Sequence, residues 1–151
     1  MAQINVTVYQ ETMIPELKKL FGGSNNENAR KALEAYLALR TVWEVEAVRK
    51  KPFTPDELRL LCDIQNGSVY DASQAASVRM WVASIEDADH YDGVGEKWGV
   101  DIAKLIEKVQ QIPVLEVYFW REEISRFWDV RSAYGSPTPD LDGFVKKYAG
   151  D

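Results

Sequence analysis

The stretch QINVTVY at residues 3–9 decides the predicted fold. Apolar and polar residues alternate along it, as they do in a β-strand with one buried face. The apolar face would carry Ile4, Val6 and Val8, and the polar face would carry Gln3, Asn5 and Thr7. Two interpretations are open for such a strand: it enters a DNA major groove with its polar face, or it is an ordinary half-buried edge strand.

Helical periodicity replaces the alternation immediately after this strand. Residues 12–21 predict a short helix that Thr12 can cap and that Gly22-Gly23 ends. A polar loop, Ser24-Asn25-Asn26, precedes a second helix predicted from Glu27 to Val48. Pro52 then marks a boundary, so we predict one module over residues 1–50 and a second over residues 53–151.

The second module is predicted to be helical throughout. Thr54-Pro55-Asp56-Glu57 has the Thr cap, the early Pro and the Glu at the third position that are typical of a helix start. Further helices are predicted over 73–88, from Trp98 or Asp101 to Gln111 and over 113–131, with a polar acidic loop over 86–93 and a short helical turn over 141–148. The predicted fold class is therefore mainly α with a single N-terminal strand.

Charge is distributed unevenly along the 151 residues, whose formal net charge is −6. Residues 1–50 hold seven Lys/Arg and six Glu, whereas residues 51–151 hold eleven Lys/Arg and eighteen Asp/Glu. A near-neutral first third followed by an acidic remainder is compatible with a nucleic-acid-binding module joined to a partner-binding module.

The cysteine content and hydropathy indicate the compartment. Cys62 is the single cysteine, so an intrachain disulfide is excluded, and its apolar neighbours predict a buried, inert thiol. No apolar run approaches the roughly 20 residues of a membrane span, and no secretory leader is recognisable. We expect a cytoplasmic protein that does not insert into membranes.

The order of strand, short helix, Gly-containing loop and longer helix over residues 3–40 resembles the ribbon-helix-helix family of repressors. Residues 31–36, KALEAY, look like the end of the second helix in that family. The resemblance implies an intertwined homodimer that pairs its N-terminal strands and binds double-stranded DNA. It further implies base reading by Gln3, Asn5 and Thr7, and phosphate binding by Ser24, Asn25 and Asn26 at a helix N-terminus.

Other candidate sites are fewer. Tyr118, Phe119 and Trp120 are consecutive rings on a predicted helix; such residues are mostly core, but one of the three is expected at a partner or ligand surface. His90 lies among acidic residues without defined metal-ligand spacing, so a solvated loop is favoured over a metal site. Because no catalytic motif is present, we expect neither an enzyme nor a cofactor.

Two functions follow from these patterns. The first is a homodimeric DNA-binding transcriptional regulator, a repressor that reads the major groove with its N-terminal strand. The alternative is a protein-interaction module, such as an antitoxin or an inhibitor of phage or mobile-element origin, that acts on a basic nucleic-acid-binding protein through its acidic C-terminal module.

Overall fold

The computed structural model describes residues 13–64, 74–127 and 140–151, and in these ranges it consists of helices and their connections. The helices in chain order are α1 (Met13–Phe21), α2 (Asn25–Lys50), α3 (Pro55–Asp63), α4 (Gln74–Asp92), α5 (Val94–Trp98), α6 (Ile102–Gln111), α7 (Val114–Ser125) and α8 (Leu141–Tyr148). None of these helices is long and apolar enough to cross a membrane.

The predicted ribbon-helix-helix fold class is wrong. All regular structure in the described ranges is α-helical, and no β-strand occurs there. Residues 3–9, where the strand was predicted, lie outside the described residues. A strand needs a partner for its N–H and C=O groups, and in a ribbon-helix-helix protein that partner is the same strand of a second copy, which an alternation of residues does not reveal. The prediction of a mainly α chain is confirmed.

The chain divides into two compact units, residues 1–42 and residues 43–151. The division falls inside α2, whereas the sequence had suggested Pro52. In the first unit, α1 and the N-terminal part of α2 are joined by a turn at Gly22, whose φ of 73° is readily adopted by glycine. In the second unit, α4 packs against α6 and α7, and α3 packs against α5, α7 and α8.

The predicted start of α3 is confirmed in detail. The Thr54 side chain accepts a hydrogen bond from the Glu57 backbone N–H at 3.2 Å, and the Glu57 carboxylate accepts one from the Thr54 N–H at 2.8 Å. This capping box satisfies two backbone donors that would otherwise lack partners at a helix N-terminus. The same carboxylate accepts a hydrogen bond from Lys108 on α6, so the cap also connects two helices.

The predicted acidic loop over residues 86–93 is wrong, because α4 continues to Asp92. The helix ends only at Gly93, which adopts the left-handed conformation with a φ of 62°. Asp89 accepts a hydrogen bond from the Gly95 N–H at 3.0 Å and so stabilises the turn into α5. Tertiary packing of α4 against α6 and α7 outweighs the weak helix propensity of the run of aspartates.

Aromatic rings form the core of the second unit. Phe53 is fully buried and meets Trp81 of α4 and Trp120 of α7 edge-on, with ring centroids 6.2 Å and 5.2 Å apart. Trp120 in turn contacts Phe119 and Tyr148. Such edge-to-face contacts add to the free energy gained by burying the rings. Phe53 therefore connects α4 to α7 from the short segment that follows α2.

Hydrogen bonds and ion pairs connect the helices at the surface of the second unit. Asp63 at the end of α3 accepts hydrogen bonds from the Lys97 ammonium at 2.8 Å and the Trp98 indole at 3.1 Å. The hydrogen bond from Lys97 has the largest effect on the pKa of the Asp63 carboxyl. Together with the bond from Trp98, it holds that pKa below its usual value. Glu44 of α2 pairs with Lys147 of α8, and the Gly150 N–H donates to the Phe53 carbonyl at 2.7 Å.

Replacing Phe53 by Ala should lower the free energy of unfolding by about 3–5 kcal/mol, because a fully buried ring at the centre of the aromatic core is lost. Chemical denaturation followed by tryptophan fluorescence measures the loss. Leu115→Ala is the control, since Leu115 is 50% exposed and its truncation should cost under about 0.5 kcal/mol. Equal losses in the two variants would contradict the central role of Phe53.

Replacing Asp63 by Asn should destabilise the protein at neutral pH and have less effect in acid. Because the folded-state pKa of Asp63 lies below its unfolded value, the carboxylate contributes stability above the unfolded pKa of about 3.9, and this contribution is lost as the pH falls through the folded pKa. The difference should stay under about 1 kcal/mol, since the pair is largely solvent-exposed. Denaturation midpoints measured between neutral and acidic pH test this.

Asp87→Asn is the control for Asp63→Asn, because it removes one exposed carboxylate from α4 without removing an ion pair between helices. A stability difference between Asp63→Asn and wild type that does not change with pH would show that the ion pair is not its source.

Candidate protein-interaction surface

An exposed apolar strip runs along α2. We define the α2 strip as Leu33, Leu37, Ala38, Thr41 and Val42, exposed neighbours along the helix surface that wind about halfway around α2 from Leu33 to Val42. Three large aliphatic side chains of the strip, Leu33, Leu37 and Val42, are 48%, 63% and 56% exposed.

Local contacts make the strip less polar than its sequence indicates. The Thr41 hydroxyl donates a hydrogen bond to the Leu37 carbonyl at 3.1 Å, so its methyl group remains for an apolar contact. At the N-terminal end of the strip, Arg30 and Glu34 pair with each other at 3.3 Å. The residues between Glu34 and Arg40 are uncharged, so the middle of the strip carries no charge for water to solvate.

The rest of the described first unit has little core of its own. No residue of α1 is buried, and Leu20 on that helix is 72% exposed. Across residues 13–42 the one buried residue is Asn28, a polar one. A pair of helices that leaves its aliphatic side chains in water has surface to bury against another molecule, which is what exposed apolar patches generally indicate.

The residues predicted to bind phosphate lie at the start of α2, where the protein itself uses several of the donors. Ser24 accepts a hydrogen bond from the Glu27 N–H at 3.3 Å, as a helix N-cap does. The Asn28 side chain bonds both the N–H and the C=O of Gly23, at 3.0 Å and 3.1 Å. Asn25 and Asn26 are exposed beside the acidic Glu27, whose negative charge opposes phosphate binding.

Asn28 is a residue that the sequence interpretation missed. Its role depends on the turn that brings Gly23 back over the first turn of α2. The clue was an amide side chain inside the first turn of a helix, where it can satisfy backbone groups that have no intrahelical partner.

The remaining predicted site residues fall into two groups. Gln3, Asn5 and Thr7, predicted to read bases, lie outside the described residues. Of the three consecutive rings on α7, Phe119 and Trp120 are each 1% exposed and belong to the aromatic core, whereas Tyr118 is half-buried. The three rings therefore do not form one exposed surface.

His90 lies on the exposed side of α4, and its ring makes an edge-to-face contact with Tyr91, which is 78% exposed. Within the described ranges, no group of three or more His, Cys, Asp or Glu side chains is placed to hold a metal ion. Asp89, the acidic neighbour of His90, is used instead in the turn to Gly95.

Cys62 is buried in α3, as predicted, with 5% of its surface exposed. Burial raises the pKa of its thiol to about 12. The thiolate, which is the reactive form, is therefore scarce at neutral pH, and the prediction of an inert thiol gains a physical basis.

Replacing Asn28 by Ala should loosen the turn between α1 and α2, because the Gly23 N–H and C=O would lose their partner. Losing these two partly buried hydrogen bonds should cost about 1–3 kcal/mol, so amide exchange at residues 23–28 should accelerate by about tenfold or more. Asn26→Ala is a matched control on the same helical turn, since Asn26 is exposed. Similar exchange rates in the two variants would contradict this role.

Comparison of the chain with protein-family models, with curated proteins and with solved structures gives no match. The functional assignment therefore depends on the residues and contacts of this chain alone.

Proposed function

We propose that this protein is a protein-interaction module whose α2 strip binds a basic amphipathic helix of another protein. The observation that carries the proposal is the exposure of Leu33, Leu37 and Val42 on one helix. Recognition between helices uses aliphatic anchors spaced like Leu33 and Leu37, which lie four residues apart on neighbouring turns. Burying the exposed half of each anchor would contribute about 1 kcal/mol per side chain.

The charge of the chain supports a basic partner. The formal net charge is −6, and the excess of acidic residues lies in residues 51–151. A negative protein attracts a positive one over long distances, which accelerates association and disfavours acidic competitors. A nucleic-acid-binding protein or a nuclease has the required positive surface. The proposal thus places this chain among inhibitors of such proteins, the class to which antitoxins belong.

DNA binding by this chain has weaker support. The residues predicted to read bases lie outside the described ranges, the donors at the start of α2 are partly used within the protein, and Glu27 adds negative charge there. Salt-dependent binding to promoter DNA would revive that function. A cytoplasmic location and the lack of enzymatic activity remain part of the proposal.

The proposal can be tested with a synthetic peptide. The probe is an amphipathic helix of about 20 residues with leucines on one face and lysines and arginines on the other. Fluorescence anisotropy should show that it binds the wild-type protein, and that Leu37→Glu weakens binding by about tenfold or more because a charge then faces the leucines. Raising the salt concentration should weaken binding to the wild-type protein.

Two controls test whether binding depends on the α2 strip and on the apolar face of the peptide. Leu115→Glu introduces the same charge at another half-exposed leucine, on α7, and should bind like wild type. A scrambled peptide of the same composition should bind weakly, since it keeps the charge and loses the apolar face. The proposal fails if Leu37→Glu binds as well as wild type. It also fails if light scattering shows a wild-type dimer that Leu37→Glu converts to a monomer, because a second copy then covers the strip.

A further inference from the structure

A groove of about 470 Å³ lies in the second unit where the end of α2, the end of α6 and the start of α7 meet. Its apolar lining includes Ala47, Pro52, Ile112, Pro113 and Trp120. Ala47, Ile112 and Trp120 are themselves 2%, 7% and 1% exposed, so the lining is held by the core of the unit. The volume lies within the range of roughly 300–1,000 Å³ typical of small-molecule pockets.

Two lysines, Lys50 from α2 and Lys108 from α6, also line the groove. Lys50 Nζ contacts a Glu116 carboxylate oxygen at 2.9 Å, and Lys108 Nζ contacts a Glu57 carboxylate oxygen at 2.6 Å. These contacts fix the position of each ammonium group. About a third of each lysine side chain remains exposed, 35% for Lys50 and 36% for Lys108.

The chemistry of the ammonium groups selects an anion. A lysine ammonium has three N–H donors, and each carboxylate contact at hydrogen-bond distance uses one of them. An anion at the groove could accept a hydrogen bond from either lysine without breaking the existing ion pair. Glu116 also lines the groove and repels additional negative charge, which favours a ligand with one negative charge over a doubly charged phosphate.

From this geometry we propose that the groove binds a small aliphatic carboxylate, with its hydrocarbon chain on the apolar lining and its carboxylate at Lys50 or Lys108. The apolar lining removes the chain from water, and the lysine donors hydrogen-bond the charged end. Trp120 is 1% exposed and offers no ring face for stacking, so the hydrocarbon chain would lie on the more exposed Pro52 and Pro113, and an aromatic or nucleotide ligand fits the groove less well. The site is independent of the α2 strip, whose residues do not line the groove.

Sodium decanoate, below its micelle concentration, is the probe, and isothermal titration calorimetry is the measurement. Wild-type protein should show saturable binding with a stoichiometry near one. Lys50→Gln and Lys108→Gln should each weaken binding by about threefold to tenfold, since each removes a charged donor. Lys104→Gln is the matched control, because Lys104 is an exposed lysine on α6 that does not line the groove, and it should bind like wild type.

Decanol tests the requirement for the charged end, since it keeps the hydrocarbon chain and lacks the carboxylate; it should bind at least about tenfold more weakly than decanoate. Lys108→Gln also removes a partner of Glu57, so thermal unfolding must show that this variant is folded, and Lys50→Gln provides the second test. The inference is overturned if decanoate does not saturate, if neither lysine variant weakens binding, or if decanol binds as tightly as decanoate.

Discussion

The edge-on packing of Phe53 between Trp81 and Trp120 is the contact on which the second unit depends. Phe53 lies in the short segment between α2 and α3, yet it touches rings from α4 and α7. The segment therefore has to pass through the core. This path determines the positions of the residues next to it. The Thr54 cap starts α3 directly after it, and the Gly150 N–H bonds its carbonyl group. The start of α3, the path of the chain through the core and the position of the C-terminal residues therefore all depend on Phe53.

The two units differ in how much of their apolar surface they bury. The described part of residues 43–151 buries a core of aromatic and aliphatic side chains that includes Phe53, Trp81 and Trp120. The described part of residues 1–42 does not, and leaves Leu20, Leu33, Leu37 and Val42 exposed. Since the hydrophobic effect acts equally on both, the first unit retains apolar surface that a second molecule can cover. This contrast, together with the acidic charge, is why protein binding is a better supported function than DNA reading.

The groove and the α2 strip have surfaces of different shape and charge. The strip is a convex helix surface without a charge at its centre, which suits another helix. The groove is concave, with buried apolar walls and two lysines held in place by carboxylates, which suits a small amphiphile.

The sequence alone determined the helical content, the capping box at Thr54 and the burial of Cys62, because helix periodicity, cap chemistry and a local apolar run are properties of neighbouring residues. It did not determine the fold class, because the predicted ribbon depends on strand pairing with a partner that the alternation cannot show. The extension of α4 to Asp92, the burial of Phe119 and Trp120 and the bonds from Asn28 to Gly23 also depended on packing. Only the tertiary structure showed which leucines stay in water and which lysines line a groove, since both depend on contacts between residues distant in the chain.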